Sequence, residues 1–242
     1  MDEDLRGILS ERLRDVRGRV AAACARAERS PEGVTLVAVT KTVPVEVARI
    51  MPQLGLWDLG ENRPQELWRK AAVLPATVRW HLIGHLQRNK VERTLWQVDM
   101  IHSVDSVRLL EAVEAEAVRQ AVRLGRGVSV LLEVNASREP SKHGFAPEDV
   151  PALVPEINKL HNVRVRGLMT MAAYDEDPEK SRPTFAQVRQ LRDRLRGEVS
   201  PAHPLDHLSM GMSNDFEVGI EEGATLVRLG TVLFEGLAGG NA

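Results

Sequence analysis

The 242-residue chain has one cysteine, no excess of either charge and no long apolar run, and each shortage removes a class of protein. Cys24 alone cannot form a disulfide within the chain. It falls in the series Leu5, Leu9, Leu13, Val16, Val20, Cys24, whose steps of three and four mark one face of a helix, so a buried core thiol is expected rather than a nucleophile. The 32 basic and 34 acidic residues leave a formal charge of −2. No general field then attracts nucleic acid or an anionic membrane, and any bound anion must be captured locally. No stretch approaches the roughly 20 apolar residues that span a bilayer. The opening MDEDLRGILSERLRDVRGRV is charged throughout rather than built as a signal peptide, and a cytoplasmic location is expected. No Pro/Ser/Gly-rich linker interrupts the middle. The expectation is a single domain over residues 1–242, with residues 1–29 forming an N-terminal helix that packs on it. Among the seven histidines, His81 and His85 are four apart but Gly84 stands between them at a strand end, so no metal site is expected.

What is present is alternation. After the N-terminal helix, short β-branched runs and amphipathic helices take turns, which predicts a parallel sheet with crossover helices. The strand candidates cover 35–40, 56–60, 78–83, 100–104, 128–134, 163–168, 205–208 and 224–229. Eight such units in a chain of about 250 residues predict a TIM-type (β/α)8 barrel, with an open doubly wound sheet as the alternative. Between the fourth and fifth strands, Asp105 is the expected cap of a helix with Val107, Leu110, Val113, Ala117 and Ala121 on its apolar face and Gly125 at its end. The last strand is followed only by Phe234 and a glycine-rich tail, so the N-terminal helix is expected to help cover the barrel.

In a barrel the carboxyl ends of all strands open onto one mouth, and the residues at these ends are selective. Lys41 closes the run VTLVAVT (34–40). Its amine can be a Schiff-base nucleophile, a phosphate ligand or a solvated strand end. Glu61 and Asn62 follow the second strand, Gly84 and His85 the third, with His81 inside it; Ser103, Asn135 and Thr170 belong to the fourth, fifth and sixth ends. Ser209-Met210-Gly211-Met212-Ser213 and Gly230-Thr231 follow the seventh and eighth, where many barrels build a phosphate site from two loops and a helix N-terminus. Ser213 or Asn214 is the expected cap of a short helix through Glu222, ended by Gly223, with free N–H groups facing the mouth. Gly211 and Gly230 let the backbone approach a phosphate, and the Ser213 and Thr231 hydroxyls can donate to it. Arg228 lies inside the apolar eighth strand and needs a buried partner, either a carboxylate such as Glu61 or an acceptor atom on a ligand. A lysine amine for an aldehyde, a phosphate cup and an arginine for an aromatic nitrogen together describe pyridoxal 5'-phosphate (PLP). A Schiff-base aldolase acting on a sugar phosphate would use the first two and leave Arg228 unexplained.

The segments VAVTKTVP (37–44), LGENRPQE (59–66), WHLIGHLQRNK (80–90), SKHGF (141–145), GLMTM (167–171) and LSMGMSNDFEVGIEEGATLVRLGT (208–231) resemble the single-domain PLP-binding family called PLP homeostasis proteins. That family is itself similar to the alanine racemase N-terminal domain, PLP fold type III. The resemblance runs from the first strand to the last. It implies that Lys41 holds PLP as an internal aldimine, that Arg228 meets the pyridine nitrogen, and that Ser213, Gly230 and Thr231 hold the phosphate. Ser209, Gly211 and Met212 join the cofactor-binding set, and Asn62 and His81 would line the ring pocket. The departures are Arg63-Pro64, Gly219 and the glutamate in Phe234-Glu235-Gly236. The first alters the pocket rim, and none removes a cofactor contact.

The same resemblance implies a carrier that buffers PLP and supplies apo-enzymes, with no established turnover. An arginine at the pyridine nitrogen keeps it unprotonated and weakens the electron sink. Racemases add a tyrosine from a second domain, for which this chain has no residues. Tyr174, its one tyrosine, lies in a charged loop, Tyr174-Asp175-Glu176-Asp177, and reads as a surface residue. A weak PLP-dependent amino-acid racemase is the enzymatic alternative. Lys142 either attracts the PLP phosphate during uptake or is a solvated loop lysine. Trp57, Trp68 and Trp96 either mark an interface or pack on their own barrel. The expected assembly is a monomer or weak homodimer with no nucleic-acid or membrane partner.

Overall fold

The computed structural model describes residues 2–139 and 142–237; Ser141 of the SKHGF segment and the glycine-rich tail lie outside the described residues. Eight parallel strands close into a barrel in the order β1 to β8. They are β1 Thr35–Val39, β2 Asp58–Glu61, β3 Arg79–Leu82, β4 Met100–Val104, β5 Val128–Glu133, β6 Val163–Met169, β7 His207–Ser209 and β8 Leu226–Leu229. The ring closes where β1 pairs with β8, from Thr35 against Leu226 to Ala38 against Leu229.

The (β/α)8 expectation holds, while several boundaries move toward the mouth. β2 starts at Asp58 and takes in Glu61, and β7 starts at His207 and takes in Ser209. Leu56 and Leu205 are buried in the core but not in strands, and Leu205 has φ +45°, which no ladder accommodates. An apolar pattern marks burial, and here burial begins before pairing does.

Alternate strand residues face opposite sides. Ala38, Val130, Leu132, Leu168 and Val227 join the large core between strands and helices. Their neighbours Val37, Leu131, Met169 and Leu226, with Met100, form a small separate cluster inside the ring. The rest of the interior is polar, and it carries the site.

Helix α1, Asp2–Arg26, lies across the helices Phe216–Glu221 and Thr231–Phe234. Leu9, Leu13, Val16, Val20 and Cys24 are buried, as the stripe predicts. Arg19 and Arg26 fasten the helix to Glu217 and Glu221. The helix after β4, Val107–Arg119, is capped by Ser106, whose Oγ accepts the Leu109 N–H. Asp105 is not the cap, because its carboxylate accepts from His85 instead. A further turn, Ala121–Leu124, ends at Gly125 with φ +60°. Among the described residues no helix is long and apolar enough to cross a membrane.

Candidate cofactor site at the barrel mouth

After β1 the chain turns over residues 40–43, closed by donation from the Val43 N–H to Thr40 O at 3.2 Å. Lys41 rides on this turn. It is exposed, with no hydrogen-bond or ion-pair partner among the described residues. A Cβ built on Gly230 would lie 3.5 Å from Val39 O, so the β1 turn and the β8 loop are neighbours at the mouth.

The β7 and β8 loops form a cup by a different route from the expected one. Ser213 and Asn214 do not cap the following helix. Phe216–Glu221 starts after Asp215, whose side chain accepts the Met212 N–H at 2.7 Å and the Ser181 hydroxyl at 3.1 Å. Asn214 donates to Asp175 O. Ser213 Oγ instead accepts the Gly230 N–H at 3.2 Å and the Val232 N–H at 3.3 Å, so two backbone donors converge on one oxygen. Thr231, the first residue of the next helical turn, is exposed. Gly211 has φ +96°, and a Cβ there would lie 2.8 Å from Phe216 Cα. Its glycine is demanded by the turn onto the helix, before any ligand is considered.

Arg228 is 4% exposed. Its partner is not Glu61: Nη1 donates to Ser209 O at 2.8 Å and Ser209 Oγ at 2.5 Å, and Nη2 to Thr170 O at 3.0 Å. A guanidinium has five N–H donors, so two are left without a partner among the described residues. Behind Arg228 a buried chain crosses the barrel: Ser209 Oγ to His102 Nδ1 at 2.9 Å, His102 Nε2 to His81 Nδ1 at 2.9 Å, and His81 Nε2 to Asp58 Oδ1 at 3.0 Å. One direction of donation satisfies every partner. Arg228 donates to Ser209, Ser209 to His102, His102 to His81, and His81 to the Asp58 carboxylate. Burial, with His81 and Arg228 nearby, holds His102 well below the usual histidine range, which keeps it neutral. Burial alone would raise Asp58, but hydrogen bonds from Arg79 and His81 bring it down to about 2. Burial pushes Arg228 down to about 10, against the pull of Asp215 and Glu133.

His81 was expected at the ring pocket and Ser209 in the cofactor-binding set. His81 and Ser209 are buried behind Arg228 with their polar atoms engaged. Asn62 is half-buried, and its side chain has no partner among the described residues. Its backbone presses on Gly84, where a Cβ would lie 2.2 Å from Asn62 O. Ser103 Oγ donates to Gly84 O, Thr170 Oγ1 to Val134 O, and Asn135 Nδ2 to Glu139 O; these three tie neighbouring loops together. Lys142 is half-buried and not free, since it pairs with Glu139 and donates to Ala172 O. Trp57 and Trp96 are exposed at 37% and 45%, while Trp68 packs on the core.

Glu133 was not singled out by sequence, and Asp105 only as a helix cap. Glu133 ends β5, is 6% exposed and has no side-chain partner among the described residues. Burial, with Asp105 adding to it, lifts its carboxyl to about 7. Asp105 Oδ2 lies 2.8 Å from His85 Nδ1 and 3.8 Å from His143 Nδ1, and the two imidazoles stack at 4.7 Å. These three residues are the candidate metal-ligand group among the described residues. Their signal is the position after a barrel strand, which three separate loops share.

A closed eight-stranded barrel with a lysine after β1 and interlocked loops after β7 and β8 is of the alanine racemase class, and the alanine racemase N-terminal domain profile matches residues 14–237. The chain is 45% identical over 225 residues to the pyridoxal phosphate homeostasis protein of Aquifex aeolicus, covering 93% of this chain and 96% of that one. It belongs to the pyridoxal phosphate homeostasis protein family. A solved protein from Bifidobacterium adolescentis superposes with a TM-score of 0.89 at 36% identity, over 97% of both chains. PipY of Synechococcus elongatus, solved with PLP bound, superposes at 0.79 with 35% identity, over 93% of this chain and 99% of that one.

Proposed function

We propose that the protein binds pyridoxal 5'-phosphate covalently through Lys41 and acts as a reversible carrier, buffering the cofactor and supplying it to apo-enzymes. One convergence carries this reading. The turn that carries the unpartnered Lys41 follows a strand that adjoins the β8 loop, where the Gly230 and Val232 N–H groups converge on Ser213 Oγ, and a buried arginine keeps two donors unused among the described residues. The names of its relatives and the PLP in PipY support it.

The residues fit the group. A Cβ at Gly230 would make only ordinary contacts of 3.5–3.9 Å with Val39, so packing does not require glycine there. The bare backbone leaves room for a phosphate oxygen. Bound PLP supplies an aldehyde for a primary amine and an electron-poor ring. Ser213 and Thr231 would hold its phosphate, and so would the Gly230 N–H, which in this structure donates to Ser213 Oγ. Arg228 can only donate, so it would meet the ring nitrogen as an acceptor and hold no proton there. Tyr174 is 82% exposed, and a loop phenol in solvent lacks the fixed geometry that proton transfer needs.

The visible absorption spectrum with and without added PLP, beside Lys41→Ala, tests the proposal. A band in the wild type that is absent from the variant is expected; no band in either overturns it. Glu133 favours a second reading, a weak PLP-dependent amino-acid racemase, because a buried carboxyl lifted to about 7 can hold or release a proton at neutral pH. Proton exchange at Cα in deuterated water no faster than with free PLP excludes that reading.

A further inference from the structure

We infer that Lys70 and Glu61 form a buried clamp on the turn that carries Lys41, which makes both of them positioning residues for its amine. The inference rests on the reading of Lys41 as the PLP lysine.

Lys70 lies in the helix Pro64–Ala71 that follows β2, and its side chain is 1% exposed; that of Glu61, the last residue of β2, is fully buried. Lys70 Nζ donates to Glu61 Oε1 at 2.6 Å, Thr40 O at 2.6 Å and Val43 O at 2.9 Å. All three ammonium protons are thereby used. Two of the acceptors are the first and last carbonyls of the 40–43 turn, so one nitrogen grips both ends of the segment that bears Lys41. Glu61 Oε1 fixes that nitrogen and also accepts the Thr40 hydroxyl at 2.6 Å.

Stability alone gives little reason for this pair. A buried ion pair seldom outperforms apolar side chains of similar volume. This one is a donor short, because Glu61 Oε2 is buried without a hydrogen-bond partner, and its desolvation is only partly offset. Apolar residues could fill the space, but they could not hold two carbonyls of one turn against a single atom. A fixed turn confines the Lys41 amine to a small volume and raises its effective concentration toward a bound aldehyde. The same geometry separates the two lysines chemically. Lys41 is bare, while every proton of Lys70 is engaged, so capture is confined to Lys41.

The test replaces the pair together, Glu61→Leu with Lys70→Met, so that no lone buried charge remains. In the ligand-free protein, hydrogen exchange at the Val43 N–H reports the turn directly. With PLP added, borohydride trapping and peptide mass spectrometry locate the adduct, and loss of the visible band to a hydrazine scavenger gives the release rate. Wild type should be trapped on Lys41 and not on Lys70. The double variant should unfold within a few degrees of wild type yet exchange Val43 and release PLP about tenfold faster, roughly the freedom of one backbone residue. Its band should also change at a different pH, which a merely structural pair would not move. A folded double variant with wild-type exchange and release overturns the clamp, as does trapping on Lys70 in the wild type. A wild type that traps nothing overturns the reading of Lys41 instead. If the apolar pair does not fold, Glu61→Gln with Lys70→Gln keeps the volume without charge; Val43 exchange at the wild-type rate in that variant overturns the clamp.

Discussion

Lys70 and Arg228 are both cations buried at the mouth of one barrel, and they are neutralised in opposite ways. Lys70 touches a carboxylate and has all three protons engaged. Arg228 touches no carboxylate among the described residues; it donates to two backbone carbonyls and a hydroxyl. Opposite charge reaches it from Asp58 through two imidazoles, and at longer range from Asp215 and Glu133. Hydrogen bonds in a row polarise one another, so donation toward Asp58 leaves Ser209 Oγ a better acceptor for the guanidinium. The difference separates a fastening from a cation that can still bind. A cation whose donors are all used can only hold the fold, whereas one anchored along one edge keeps donors for a ligand.

Breaking the fastening should cost most. Lys70→Met alone leaves the Glu61 carboxylate buried with only the Thr40 hydroxyl, and a buried charge without its partner costs about 3–5 kcal/mol; urea unfolding measures the loss. A cost below about 1 kcal/mol would mean that Glu61 escapes to water. Glu133 sharpens the other side of the comparison with the opposite sign. Its folded carboxyl keeps its proton up to about 7 against an ordinary 4.5, so the folded state holds an extra proton between those values. Wild-type stability therefore falls as pH rises through that window. Glu133→Gln should be more stable than wild type by about 3 kcal/mol above pH 7, with the difference gone below pH 4.5. Parallel pH profiles for the two proteins would contradict the burial of that charge.

The same contrast explains what the sequence made legible. Eight apolar runs alternating with amphipathic segments define the barrel, and strand ends place Lys41, Ser213, Gly230 and Thr231 at one mouth, because both patterns are local. Partner choice is not local. Asp105 and Ser106 are both capping residue types, and His85, twenty residues away, decides between them. Arg228 chooses Ser209 over Glu61 because inward positions of different strands share a layer that register alone sets. His102 sits in the run Ile101-His102-Ser103, and its inward direction appears only when the ring closes. Nothing local in PQELWRKA marks Lys70 in its last turn as buried; it is buried because that helix packs over the end of β2.

The smallest effect should come from Ser209→Ala, which cuts the chain behind Arg228 without touching its backbone anchors. The guanidinium would keep Ser209 O and Thr170 O, while His102 Nδ1 would lose the hydroxyl that donates to it. One buried acceptor left unsatisfied costs about 1–2 kcal/mol, well short of the Lys70→Met loss, because no charge is stranded. PLP should still give its visible band, since Lys41 and the Ser213 cup are untouched. A loss as large as that of Lys70→Met would mean that the hydroxyl, and Asp58 beyond it, neutralises Arg228 as closely as Glu61 neutralises Lys70. The two cations would then differ in the length of the connection to their counter-ion and not in kind.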